Sequence, residues 1–239
     1  MGKVAAAFTK HVCLELQSLK TPHSTINVVH WIYMNADDFF KTVHQIIHEH
    51  FLNQQNTQYY HERQIQLKLG IELWKRCSME ATLEYPLSID PDGKHEYLDM
   101  YLRIPETREN IGIELKYKTM ADVQTPHGKR PYVDQGAQSN GKYDFVKDVV
   151  RLERLQQDRV IHHGMAVLLT NDHRYWQPAR AHAAVEVFNL NEERVLSGTL
   201  EPKWKDRSFP LNVSGSYKLY WEGADSRGGQ SFRCLSVRV

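Results

Sequence analysis

Two neighbouring segments constrain this chain more than any other part of it. The first is Glu96-Tyr-Leu-Asp99-Met-Tyr-Leu-Arg-Ile104; after a short polar turn comes Ile111-Gly-Ile-Glu114-Leu-Lys116-Tyr-Lys118. Both are apolar runs of strand length, yet an aspartate sits inside the first and Glu-x-Lys inside the second. Strand side chains alternate between faces. Glu114 and Lys116 therefore share a face with Gly112 and Lys118, and Ile111, Ile113, Leu115 and Tyr117 take the other. On the first strand Tyr97, Asp99 and Tyr101 share one face, and Leu98, Met100, Leu102 and Ile104 the other. A hairpin turning near Pro105 to Arg108 sets Asp99 opposite Glu114.

Carboxylates that close repel strongly where the dielectric is low. A strand accommodates them if the charges are pooled, and a metal ion serves that best. Mg²⁺, with Mn²⁺ as a substitute, prefers oxygen ligands and keeps several waters. Such an ion polarises a phosphodiester oxygen and lowers the pKa of an attacking water. Lys116 alongside can orient that water or stabilise charge developing on the phosphate. The same residues also read as a salt-bridged hairpin with one solvated face, where Asp, Glu and Lys are ordinary.

The flanking segments narrow the choice. Asn35 is a helix N-cap for a helix from about Ala36 to Phe51, with Phe39, Val43, Ile46, Ile47 and Phe51 on one face. Asn53 to Thr57 reads as a linker, as Thr21 to Thr25 does earlier. A second helix from about Tyr60 to Arg76 has Ile65, Leu69 and Leu73 on one stripe. The period then changes to two over Ala81–Leu87, Glu96–Ile104 and Asn110–Thr119. A polar loop from Met120 to Gly141 leads to a helix from Lys142 to about Gln157. The apolar strand Gly164–Thr170 follows, and Ser216–Trp221 and Phe232–Val239 alternate near the end. Helix, helix, three strands, helix, strand predicts an α/β fold with a mixed central sheet flanked by helices.

In order and motif these elements resemble the PD-(D/E)xK nuclease superfamily, the fold of many restriction endonucleases and repair nucleases. Asp99 matches the family's first acid, Glu114 the second and Lys116 the lysine; Leu98 stands where the family's proline would be. The resemblance covers about residues 60 to 172. It implies a restriction-endonuclease-like core within a single domain spanning residues 1–239. It also implies a further catalytic glutamate on the helix before the first strand. Glu62 is the candidate and Glu72 the runner-up on the same helix; a first-turn glutamate such as Glu62 is also favoured by the helix dipole alone. The helix after the Glu-x-Lys strand flanks the site in that family, so Lys147 and Tyr143 become candidates for contacting phosphate or bracing Lys116. Asp144, Lys147, Asp148 and Arg151 otherwise read as a solvated face opposite Phe145, Val149 and Leu152.

Lys118, Lys129, Arg130 and Lys142 surround the long loop with Tyr132 and Gln135, a mixture of bases and aromatics that suits a nucleic-acid backbone. Asn171 to Trp176, just past the buried strand, is a second place for DNA contacts. Net charge is only +1, which neither marks nor excludes a nucleic-acid binder. Three cysteines without a C-x-x-C pair argue against a disulfide framework or zinc ribbon and for a cytoplasmic setting. His44 and His48 lack the H-E-x-x-H pattern of a zinc hydrolase, so they read as surface histidines. No apolar run approaches membrane-spanning length, and Val4 to Phe8 is too short for a secretory segment. The G-x-S-x-G elbow and the phosphate-binding G-x-x-x-x-G-K-[ST] loop are absent.

The resulting expectation is a Mg²⁺-dependent endodeoxyribonuclease acting on double-stranded DNA, a type II restriction enzyme or another defence nuclease, with a homodimer as its assembly. The alternative is a non-catalytic nucleic-acid-binding or protein-interaction module with the same fold.

Overall fold

The computed structural model describes residues 34–52, 61–89, 95–120, 136–179, 185–204, 207, 209–223 and 231–239. The expected loop at Thr21–Thr25, the linker at Asn53–Thr57, and Lys129, Arg130, Tyr132 and Gln135 lie outside them. All described residues belong to one unit, Met34–Val239.

Helix α1 (Ala36–Ile47) starts where expected, the Asn35 side chain accepting a hydrogen bond from the Asp38 N–H at 3.0 Å. It gives way to a π-helical turn, His48–Leu52, that still buries Phe51. Helix α2 (Glu62–Cys77) ends at Ser78 in the left-handed conformation and buries Ile65, Leu69 and Leu73 as its period predicts. Strands β1 (Ala81–Ile89), β2 (His95–Arg103) and β3 (Asn110–Lys118) form an antiparallel meander. Helix α3 (Gln138–Gln157), one turn longer than expected, connects β3 to the parallel strand β4 (His163–Thr170). A two-stranded sheet of β5 (Val195–Leu200) and β6 (Leu211–Lys218) follows, then β7 (Trp221–Glu222) and β8 (Arg233–Arg238).

The central sheet is mixed, in the order β1-β2-β3-β4-β8-β7. Met100, Leu102, Ile111, Ile113, Leu115, Met165 and Val167 pack against α1 and α2 on one face. On the other, Ala166, Leu168 and Leu235 meet Phe145, Val149 and Leu152 of α3. Strand β4 is covered on both faces, which explains its unbroken apolar run. Each fully buried Leu, Ile, Val or Phe in these layers contributes about 1.5–3 kcal/mol. Because α3 is clamped between this sheet and β6, its inward positions are fixed, and with them part of the site.

Side-chain alternation breaks across Glu84. Leu83 pairs with Met100 and Tyr85 with Leu98, but Glu84, between them, has a positive φ of 51°. Leu83 and Met100 join the α1/α2 layer, whereas Tyr85 and Leu98 join the α3 layer. The expectation that Leu98 shares a face with Met100 is therefore corrected. The faces exchange across Glu84 and Asp99, at a backbone strain of about 1–3 kcal/mol. Among the described residues no helix is long and apolar enough to cross a membrane.

Candidate active site

The break in β1 and β2 decides where Asp99 points. The β2–β3 ladder runs from Arg103↔Asn110 to Met100↔Ile113, and its next rung would be Asp99↔Glu114, the register that hairpin symmetry predicts. Every second N–H of a strand faces the same neighbour, so the Leu115 and Tyr117 amides face β2 as the Ile113 amide does. Carboxylates take both. The Leu115 N–H donates to Asp99 Oδ2 at 2.7 Å, and the Tyr117 N–H donates to Glu62 Oε2 at 2.8 Å. Strand β2 supplies the first and the N-terminus of α2 the second. Glu62 thus reaches the site from the far side of the sheet.

Glu114 and Lys116 project from β3 toward α3. The Glu114 side chain is 0% exposed, and its Oε2 is in contact with Arg151 Nη2. Its other oxygen, Oε1, has no hydrogen-bond partner among the described residues. Lys116 Nζ lies 2.8 Å from Asp148 Oδ2, and Arg151 Nη2 donates to Asp148 Oδ1 at 3.2 Å. The cluster holds four carboxyl groups (Glu62, Asp99, Glu114, Asp148) against two cations in contact with them (Lys116, Arg151). Fully ionised, it carries two excess negative charges.

That imbalance appears in the titration of its members. Burial, reinforced by Asp148 and Asp99 and opposed by Arg151, pushes the Glu114 carboxyl well above the usual carboxylate range. Burial also raises the Glu62 carboxyl, against the pull of Lys116 and the Tyr117 amide. At Lys116 burial works the other way, but Asp148 and Asp99 outweigh it and hold the ammonium above its ordinary value. Lys116 is therefore a fixed cation and donor rather than a base.

The donor set fits a hard divalent cation: carboxylate oxygens only, excess negative charge, and one buried oxygen with nothing bound to it. Asp99 and Glu114 would be the ligands. Among the described residues no three His, Cys, Asp or Glu side chains form a ready-made metal cage. An ion here would have two carboxylates and complete its shell with water, as Mg²⁺ commonly does.

Other candidates fall elsewhere. Glu72 is buried but faces Lys68, Lys75, Arg76 and His50. Lys147 is exposed on α3, whereas Lys118, half-buried at the end of β3, is near enough to favour the charged form of Glu62. Lys142, expected at a nucleic-acid surface, is 3% exposed, its Nζ donating to Asn189 Oδ1 at 2.7 Å. Burial lowers its amino group to about 8. Tyr143 is also buried and donates to the Phe209 carbonyl. The expected DNA contacts at Asn171, Asp172, Tyr175 and Trp176 are corrected: all four are buried. Asn171 bonds the Met120 backbone and Asp172 binds Arg174 and Gln138. His44 sits 2.9 Å from Glu222.

Sequence reasoning missed Asp148 and Arg151 as members of the cluster. Their i,i+3 spacing reads equally as a solvated stripe. The available signal was that Val146, Val149, Val150 and Leu152 surround them, leaving the helix apolar on nearly every side. Comparison with protein-family models, with curated proteins and with solved structures gives no match to this chain.

Proposed function

We propose that this chain is a divalent-metal-dependent endodeoxyribonuclease with a restriction-endonuclease-like core, a restriction or other defence nuclease acting on duplex DNA. The observation that carries the reading is the convergence of Asp99, Glu114, Lys116 and Glu62 where the β2–β3 ladder stops. Four ionisable groups from three elements meet at one interrupted rung, and a purely structural hairpin has no use for that interruption.

Asp99 and Glu114 would hold Mg²⁺ or Mn²⁺, which supplies charge neutralisation at the phosphate and acidifies a bound water. The protein's own groups do the rest. Asp148 pins the Lys116 ammonium, leaving it to orient a nucleophilic water or to stabilise charge on the phosphate oxygens. Glu62, its carboxyl raised by burial, would assist by accepting a proton from a water at the site. Of the basic residues expected to contact the DNA backbone, Lys118 and Lys147 are described and not buried.

A second reading, a non-catalytic nucleic-acid-binding or protein-interaction module, is favoured by the two internal cations that already neutralise part of the cluster. Cleavage separates the two. Wild type with plasmid DNA and Mg²⁺ should give fragments, discrete for a site-specific enzyme, and Lys116→Ala should be slower by about 100-fold or more. Intact plasmid and linear DNA with both proteins, across varied sequences, would favour the module.

A further inference from the structure

We propose that Arg151 is the resident counter-cation of this site and competes with a divalent ion for Glu114. The inference rests on the reading of Asp99 and Glu114 as metal ligands, and it names how loading of that site is regulated.

With Arg151 in place the Glu114 side chain is 0% exposed, so mobile counter-ions in solution screen its charge poorly. Its charge must be balanced from within, and the only cation in contact with it among the described residues is Arg151. Lys116, the other cation, is engaged by Asp148. Arg151 is not fully accommodated where it lies: its Nε is buried with no hydrogen-bond partner among the described residues. Its side chain is 19% exposed, so it borders solvent. It also has a second anchor on its own helix, Asp148 Oδ1, three residues earlier. The guanidinium can therefore leave Glu114 without losing every ionic partner.

An incoming dication and a guanidinium on one carboxylate repel each other, and in a buried site that repulsion is poorly screened. Coupling of this kind is reciprocal: whatever Arg151 takes from metal affinity, the metal takes from the hold on Arg151. Asp148 thereby serves both cations. It fixes Lys116 and gives Arg151 a place to go.

The test reads metal binding and the arginine side chain, not turnover. Mn²⁺ affinity is measured by electron paramagnetic resonance on the full chain for wild type, Arg151→Ala and Arg151→Gln, the Gln variant retaining reach in case the Ala variant fails to fold. Removing the positive charge should tighten Mn²⁺ binding by about tenfold or more. In parallel, ¹⁵N-arginine NMR of wild type, with the Arg151 signals assigned by their loss in Arg151→Gln, should show restricted guanidinium rotation in metal-free protein. Saturating Mg²⁺ should release it. Wild type that binds Mn²⁺ while the variants bind equally or more weakly overturns the proposal, and so do Arg151 signals that ignore Mg²⁺. No Mn²⁺ uptake by any of the three proteins overturns the metal reading itself, and the proposal with it.

Discussion

Glu72 offers a test in which the magnitude can be worked from geometry. It is 7% exposed and shares one oxygen between Lys68 Nζ at 2.9 Å and Lys75 Nζ at 3.2 Å. Arg76 and His50 approach its other oxygen at 3.7 and 3.5 Å. The hydrogen bond from Lys68, with that from Lys75 and against the opposing effect of burial, lowers its carboxyl from 4.5 to about 2. At about 1.4 kcal/mol per pKa unit this corresponds to an upper bound of about 3 kcal/mol of folding stability. The Lys75 side chain is 55% exposed, so solvent screens much of that. About 1–2 kcal/mol is the realistic share. The carboxyl is depressed, so its contribution is present above pH 4.5 and lost as pH falls toward 2. Glu72→Gln should therefore be less stable than wild type by about 1–2 kcal/mol at pH 7 in urea denaturation. More than half of that difference should be gone by about pH 3. The cleavage proposed above should be unaffected, because Glu72 lies among these cations and not in the Asp99 cluster. Equal stability at pH 7, or a deficit that persists undiminished in acid, would refute the electrostatic account of this helix.

The sign reverses at Glu114. Its carboxyl is raised by burial, so the stability linked to its protonation is present below pH 4.5 and lost as pH rises through the folded value. Metal-free Glu114→Gln should melt at or above the wild-type temperature at pH 8, with its advantage shrinking toward pH 4.5; a variant several degrees less stable at pH 8 would contradict this. At Gly141 an added Cβ would lie 2.1 Å from the hydroxyl of Tyr175, which is 1% exposed and cannot swing outward. Gly141→Ala gains up to about 1 kcal/mol of helix propensity but should lose about 1–3 kcal/mol net through overpacking, as read by chemical denaturation.

Much of the framework was legible because local pattern determined it. The period-two runs located β1 to β3, an unbroken apolar run located β4, and hairpin symmetry gave the β2–β3 register, whose next rung would set Asp99 opposite Glu114. Ile65, Leu69 and Leu73 gave α2 its buried stripe. Where the reading failed, the deciding contact was distant in sequence. Glu84 is an ordinary strand residue in any local window, and its positive φ becomes intelligible only beside the interrupted Asp99 rung. Asp148 and Arg151 satisfy each other at i,i+3 whether they face water or a carboxylate cluster, and spacing alone does not distinguish the two. Lys142 is buried because Asn189, 47 residues later, receives its amino group. The short β5, with Ser197 and Gly198 at its centre, has too little apolar alternation to register, and its pairing with β6 is again long-range.

The interrupted β2–β3 rung is proposed above as a divalent-cation site. It is tested most directly by calorimetric titration of Mg²⁺ and Mn²⁺ into wild type and Asp99→Asn. Asparagine can still accept the Leu115 amide through its side-chain oxygen, so the fold is kept while the charge is removed. Wild type should take up either ion weakly and saturably, Asp99→Asn should lose that uptake, and circular dichroism should be unchanged. Absence of uptake by wild type, or equal uptake by both proteins, would contradict that assignment.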